Sequence, residues 1–297
     1  MERMISFAAM SQDRLEASLD IDRRSALEIV RIIQDEDRRV ADAVAAEAER
    51  IAHAVDQIAE RLQHGGRLFY AGAGTSGRIA MLDASELPPT YGIDPSLVQV
   101  LMAGGERAFF AAAEGAEDDE EAAVEIVNEK VHAEDAVVGI AASGTTPYTV
   151  AAVRRANMLG ALTVGITSVP GSPLAQDVDI AIVPRTGAEV IMGSTRMKSG
   201  TAQKLVLNTL STGVMIRLGR VYSNLMIEMP ATNEKLRNRA VRMVELAAGV
   251  TRPMAVQAIR EADGNVKLAA VMAKKRVGAD EARRLLDGRP LREVLEQ

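Results

Sequence analysis

Five short apolar runs, separated by stretches of helix length, constrain this chain more than any other feature of it. Arg67–Ala71 is the first, followed by the glycine-rich Gly72-Ala-Gly-Thr-Ser-Gly-Arg78 and a helical segment through Ile79, Ala80 and Leu82. Leu97–Met102 leads into Gly104-Gly105 and an alanine-rich segment that reads as helix. Ala136–Ala141 ends at Ala142-Ser-Gly-Thr-Thr-Pro147, with a helix beyond it through Ala152 and Met158. Leu162–Thr167 ends at Ser168-Val-Pro-Gly-Ser-Pro173, and Val178–Val183 is the fifth run. Strands spaced this way join through right-handed helical crossovers, which predicts an α/β fold with a mainly parallel sheet flanked by helices. Ligands in such sheets sit beyond the carboxyl ends of the strands, where these Gly/Ser/Thr loops fall.

The flanking segments are helical. Over Ser25–Arg61, Leu27, Val30, Ile33, Val40, Val44, Ile51, Val55 and Ile58 recur at three- to four-residue intervals, in one helix or two. Arg196–Leu218 predicts one long helix, and Pro230 breaks the chain after it. The expected division is a helical lead-in over 1–55, the sheet domain over 56–230, a linking helix over 231–248 and a small helical C-terminal domain over 249–297. The last is too short to bury much core alone, so it is expected to dock.

With 297 residues the chain is long enough for a substantial core. Aromatic residues make up only 3% of it, so Ala, Leu, Ile, Val and Met must fill that core, as suits parallel strands under helices. The net charge is −6 with both signs interspersed, and no basic block tracks a nucleic-acid backbone, so no nucleic-acid partner is expected. Zero cysteines exclude thiolate chemistry and disulfides. The first residues hold no apolar run of span or leader length before Asp13 and Arg14, so the expectation is a cytoplasmic protein without a membrane partner.

Gly72–Arg78 joins a strand to a helix. Its glycines let backbone approach an anion, and the amides with the Thr75 and Ser76 hydroxyls donate to it. Ser143-Gly-Thr-Thr146 offers the same donors before another helix, and Pro147 falls where its missing amide costs nothing. One such loop is an ordinary turn as readily as a site. Two, at the ends of separate parallel strands, favour an anionic ligand held by Gly74, Thr75, Ser76, Ser143, Gly144, Thr145 and Thr146. Gly72–Gly77 does match G-x-G-x-x-G, but the region about twenty residues on is the loop Pro88–Asp94 and not an acidic strand end, which argues against a dinucleotide. No Gly-Lys-Ser/Thr follows either loop, so a P-loop is excluded as well.

Carboxylates are the natural acid–base groups. The three histidines, His53, His64 and His132, form no metal motif and read as surface or boundary residues, so no metal is expected. In Asp83-Ala-Ser-Glu86, just past the first loop, a carboxylate at Glu86 projects toward the ligand or simply into solvent; Pro88-Pro89 is expected to end that helix. Glu114-Gly-Ala-Glu-Asp-Asp-Glu120 reads by spacing as an ordinary acidic helix start, which leaves Glu117 among solvated residues. A glutamate, near about 4.3 in water, carries protons at neutral pH only when burial or a nearby anion raises it, and a bound phosphate would do so.

Phe69–Gly92, FYAGAGTSGRIAMLDASELPPTYG, resembles the N-acetylmuramic acid 6-phosphate etherases. So do Ala113–Asp119, Gly139–Tyr148, Gly193–Asn208, Asn224–Met226 and Ala231–Leu236, in that order along the chain. The resemblance spans at least Asp20–Leu236 and implies a three-layer sugar isomerase (SIS) domain, a homodimer, and cytoplasmic recovery of cell-wall sugars without metal or organic cofactor. It implies cleavage of the D-lactyl ether of N-acetylmuramic acid 6-phosphate, giving N-acetylglucosamine 6-phosphate and D-lactate. The family's proton donor falls on Glu86 and its second catalytic glutamate on Glu117, at the C2 proton, against the reading from spacing. Family members often carry Arg where this chain has Thr145. A sugar-phosphate isomerase, or a sugar-phosphate-responsive regulator using the C-terminal helices and Lys274-Lys-Arg276, are the alternatives.

Overall fold

A computed structural model of the chain describes residues 13–297, apart from 112, 232 and 288. The residues of the leader reading, 1–12, and Thr232 and Gly288 of the C-terminal motifs lie outside the described residues. Two compact units form: one takes the chain up to Ala84 together with Ser96–Val214, the other Ser85–Pro95 with Met215–Gln297.

In the first unit the lead-in is two helices, α1 (Ala26–Ala45) and α2 (Ala48–Gln63). A capping box starts α1: Ser25 Oγ accepts the Glu28 amide, and the Glu28 carboxylate accepts the Ser25 amide at 2.9 Å. At the break between them, the Glu47 carboxylate accepts the Val183 amide at 3.1 Å, tying it to the sheet. The α2 face with Ile51, Ala54, Ile58 and Leu62 is buried.

The strands are β1 (Leu68–Gly72), β2 (Val98–Met102), β3 (Ala136–Ile140), β4 (Leu162–Ile166) and β5 (Ile180–Ile182). They pair in parallel in the order β2-β1-β3-β4-β5. Every residue of β1, β3 and β4 is buried, which is why they appear in the sequence as unbroken apolar runs. β5 begins at Ile180 and not at Val178 because the Asp179 carboxylate accepts the Thr163 amide at 2.8 Å, where a ladder bond would start.

Helices α3 (Gly74–Tyr91), α4 (Glu120–Lys130), α5 (Pro147–Met158), the single turn α6 (Pro173–Gln176) and α7 (Lys198–Arg217) complete the crossovers and their cover. One core joins Phe69, Leu101 and Val137 of the sheet to Val127 of α4, Ala152 and Val153 of α5, and Leu174. Two expectations are corrected. Pro88 and Pro89 do not end α3, which runs on to Tyr91: its last turns go without two amide donors, and the helix closes just past them, where the Thr90 hydroxyl donates to Glu86 O at 2.6 Å. The alanine-rich segment after Gly105 becomes α-helical only at α4, from Glu120. Before that it forms short 3-10 turns at Glu106–Phe109 and Ala116–Asp118, since this part lacks the periodic apolar face that would repay helix nucleation.

In the second unit, α8 (Glu234–Ala248), α9 (Arg252–Glu261), α10 (Val266–Lys275), α11 (Ala279–Leu286) and α12 (Leu291–Glu296) share one core. The expected linking segment, α8, gives Ala240, Val241, Val244 and Ala247 to that core, beside Val271, Met272 and Leu291. Asn233 and Asn265 cap α8 and α10 through their side-chain oxygens, at 2.9 and 2.8 Å from the Leu236 and Leu268 amides.

Candidate active site

The strand order turns back at β1, which lies between β2 and β3, so the β1/β3 edge is the switch point where parallel sheets hold ligands. Gly72 and Ile140 are partners in register, so the loops beginning at Ala73 and Ala141 leave neighbouring strand ends on the same edge. Both glycine-bearing motifs singled out in the sequence are therefore side by side.

The first loop runs straight into α3. Gly77 permits that tight turn, since a Cβ there would lie 2.2 Å from Met102 Sδ and 2.9 Å from Gly72 O. The start of α7 lies next to this turn: a Cβ on Gly200 would stand 3.8 Å from Thr75 Cγ2, and Ser76 Oγ donates to Gln203 Oε1 at 3.0 Å. Two helix N-termini with their positive ends meet here. They differ in what they hold. The buried Glu189 carboxylate accepts the Lys198 and Ser199 amides, both at 3.0 Å, so the chain itself supplies the anion for α7. At α3, Gly74 is exposed and Thr75 and Ser76 are half-buried, leaving first-turn donors open to a ligand.

The second loop is seated on the loop after β4. Ala142 O accepts the Ser168 amide at 3.0 Å and the Thr167 hydroxyl at 3.2 Å, while the Leu174 amide donates to Gly144 O at 2.9 Å. Gly144 has φ +67°, and a Cβ there would lie 2.1 Å from Ser172 Oγ. Ser143 Oγ accepts both the Thr145 amide and the Thr145 hydroxyl, at 3.2 and 2.9 Å. Thr146 caps α5 with Pro147 in the first turn, and its hydroxyl makes no capping bond.

Glu117 is exposed on the 3-10 turn Ala116–Asp118, which packs against α5, with Ala116 set against the core around Tyr148. It also lines a cavity of about 270 Å³ with Gly74, Arg78, Met102, Glu114 and Gly115. The cluster that looked like a plain acidic surface thus stands beside Gly74 of the first loop and against the helix that follows the second. Arg78 fastens its approach: Nε donates to Ala108 O at 3.1 Å and Nη2 to Ala111 O at 3.0 Å. Burial, with Asp119 close by, pushes the Tyr148 hydroxyl up to about 12, so it stays protonated.

Glu86 is exposed on α3, in the stretch Ser85–Pro95 that belongs to the second unit, and it does not line this cavity. Its neighbour Asp83 is in the first unit and 4% exposed. Asp83 accepts from Tyr70 Oη (3.0 Å), Asn208 Nδ2 (2.7 Å) and Ser211 Oγ (3.1 Å). Desolvation nevertheless raises the Asp83 carboxyl above its ordinary value, against the three hydrogen bonds, and carries Tyr70 well up as well. Sequence reading passed over Asp83, Arg78, Glu189 and Gln203, because their partners lie up to 128 residues away. The three histidines are all exposed, and among the described residues no group of three or more acidic or histidine side chains is gathered to hold a metal.

Two family models match the chain, that of the glucokinase regulatory protein N-terminal SIS domain over residues 50–157 and that of the SIS domain over residues 114–212. The N-acetylmuramic acid 6-phosphate etherase of Symbiobacterium thermophilum is 57% identical over 262 residues, 88% of this chain and 87% of that protein. The etherase of Clostridium beijerinckii is 52% identical over 278 residues, 93% and 91% of the two chains. A phosphoheptose isomerase from Francisella tularensis shares the fold, with a TM-score of 0.52 at 18% identity over 65% of this chain and 100% of that one. With relatives this similar along most of its length, the chain belongs to the N-acetylmuramic acid 6-phosphate etherase family.

Proposed function

We propose that this chain is a carbon–oxygen lyase that converts N-acetylmuramic acid 6-phosphate and water to N-acetylglucosamine 6-phosphate and D-lactate. One observation supports the assignment of the site most directly: the turn bearing Glu117 packs against the helix entered from Ser143–Thr146 and shares a cavity with Gly74. A phosphate held at Thr75, Ser76, Ser143, Gly144, Thr145 and Thr146, with the amide of Gly74, would fix the sugar next to that carboxylate. In the ring-opened sugar the C2 proton is acidified by the C1 aldehyde. Glu117 removes it, the C3–oxygen bond breaks, and Glu86 gives its proton to the departing lactate oxygen. Water then adds to C3 of the unsaturated aldehyde with Glu86 as base, and C2 recovers a proton from Glu117. Atoms balance with water as the sole co-reactant.

In this reading the protein acts as a homodimer in the cytoplasm. Among the described residues no helix is long and apolar enough to cross a membrane. The test is deuterium exchange at C2 of the substrate in heavy water, followed with lactate release. Glu117→Gln is expected to stop both; exchange that persists in this variant removes Glu117 from the role of base. An isomerase or a regulator would release no lactate from the unaltered chain.

A further inference from the structure

Gln203 lies on α7 and is only 2% exposed. Its Oε1 accepts the hydroxyl proton of Ser76 at 3.0 Å, while its buried Nε2 has no hydrogen-bond partner. A buried amide donor left idle is uncommon in a folded protein. Here it is one end of a group whose other end touches the anion-type loop. We propose that Gln203 is a positioning residue for that loop: with its amide turned over, Nε2 donates to Ser76 Oγ and frees the Ser76 proton for an oxygen of the bound phosphate.

Proton count decides what Ser76 can offer. A serine hydroxyl has a single proton and two lone pairs. While that proton goes to Oε1, Ser76 presents only lone pairs elsewhere, and these repel an anion. A phosphate oxygen arriving at the first turn of α3 gains a bond from Ser76 only when the proton is redirected. Glutamine is suited to this, because a half-turn of its terminal amide exchanges an acceptor for a donor at one place with almost no change of shape. Glutamate would accept only and would add a like charge beside the ligand. Methionine would fill the space and do neither. The inference rests on the reading above, that this loop holds the sugar phosphate.

The test is a cycle on the full chain with Gln203→Met, Ser76→Ala and the double variant, with N-acetylglucosamine 6-phosphate as the binding probe and N-acetylmuramic acid 6-phosphate for turnover. Gln203→Met leaves the Ser76 hydroxyl with no neighbour to orient it, and is expected to weaken binding severalfold, short of the roughly tenfold of a whole hydrogen bond to a charged group, and to raise KM with kcat changed much less. In the Ser76→Ala background the same substitution is expected to add nothing. Gln203→Met binding as the unaltered chain does, or weakening binding equally without the Ser76 hydroxyl, overturns the proposal. Should the variants not fold, the Gln203 side-chain amide of the unaltered chain, followed by nitrogen NMR, is expected to shift downfield when the probe binds; an unmoved signal overturns it. Binding without lactate release ends the etherase reading but leaves this test intact, and a chain that binds neither sugar phosphate ends both.

Discussion

Gly144→Ala probes the seat of the second loop. The new Cβ would lie 2.1 Å from Ser172 Oγ, 2.6 Å from Ser172 Cβ and 2.6 Å from Thr167 Oγ1, at a backbone φ of +67°. Holding a non-glycine residue in the left-handed region costs about 1–2 kcal/mol. Forcing a methyl into filled space adds roughly 1–3 kcal/mol. The loop avoids both by leaving its seat, so the balance shifts away from its binding-competent form. At the lower sum, about 2 kcal/mol, the ratio of seated to displaced loop falls about thirtyfold, and that factor is the upper bound on the loss of apparent affinity. Calorimetric titration with N-acetylglucosamine 6-phosphate reads this directly, with global stability followed separately by thermal unfolding. Adding Ser172→Gly removes two of the three close contacts but leaves Thr167 and the backbone strain, so recovery should be partial. A Gly144→Ala variant that binds as tightly as the unaltered chain would refute the reasoning, as would full recovery on adding Ser172→Gly.

Three further outcomes follow from charged side chains. Because burial raises the Asp83 carboxyl, the folded state holds its proton after the unfolded state has lost it, so Asp83 lowers stability as pH rises from 3.8 to its own raised value, with no further change above. Asp83→Asn, whose amide can still meet Tyr70, Asn208 and Ser211, should flatten that segment of a denaturation-against-pH curve; an unchanged slope would count against the assignment. Lys198 Nζ lies 2.6 Å from Glu36, both almost wholly buried, so Glu36→Leu should destabilise by about 3–5 kcal/mol by leaving a buried cation unpaired. Joining it to Lys198→Met should recover most of that loss in urea unfolding, and a simple sum of the two single effects would contradict the pairing. Arg78→Lys, which keeps the charge but cannot span Ala108 O and Ala111 O together, should slow lactate release through Glu117 with little change in melting temperature, and unaltered turnover would show that the segment holds itself.

The sheet was legible because β1, β3 and β4 are buried on both faces and so appear as continuous apolar runs ended by glycine or serine. The two anion-type loops were legible for the same reason, since their position after a strand and before a helix is a local pattern. Pro88-Pro89 misled by a few residues, because a proline withholds its own amide bond but the turn in which it stands can still form. The alanine-rich stretch past Gly105 misled because propensity alone cannot supply the packed face a helix needs. Glu117 was the instructive case. Its neighbours in sequence are acidic and solvated, so local physics assigned it to the surface, and its place beside α5 and Gly74 arises from packing between segments about 30–40 residues apart. Gln203 and the Lys198–Glu36 pair carried no local signal at all; each is defined by a partner 127 or 162 residues away that only the fold brings near.

The most direct test of the central claim is to incubate the purified chain with N-acetylmuramic acid 6-phosphate in heavy-oxygen water and to assay D-lactate together with the label on the amino sugar. Elimination followed by hydration predicts release of unlabelled lactate and one heavy oxygen at C3 of N-acetylglucosamine 6-phosphate. Lactate released with the C3 oxygen unlabelled would contradict the mechanism, and no lactate at all would contradict the function.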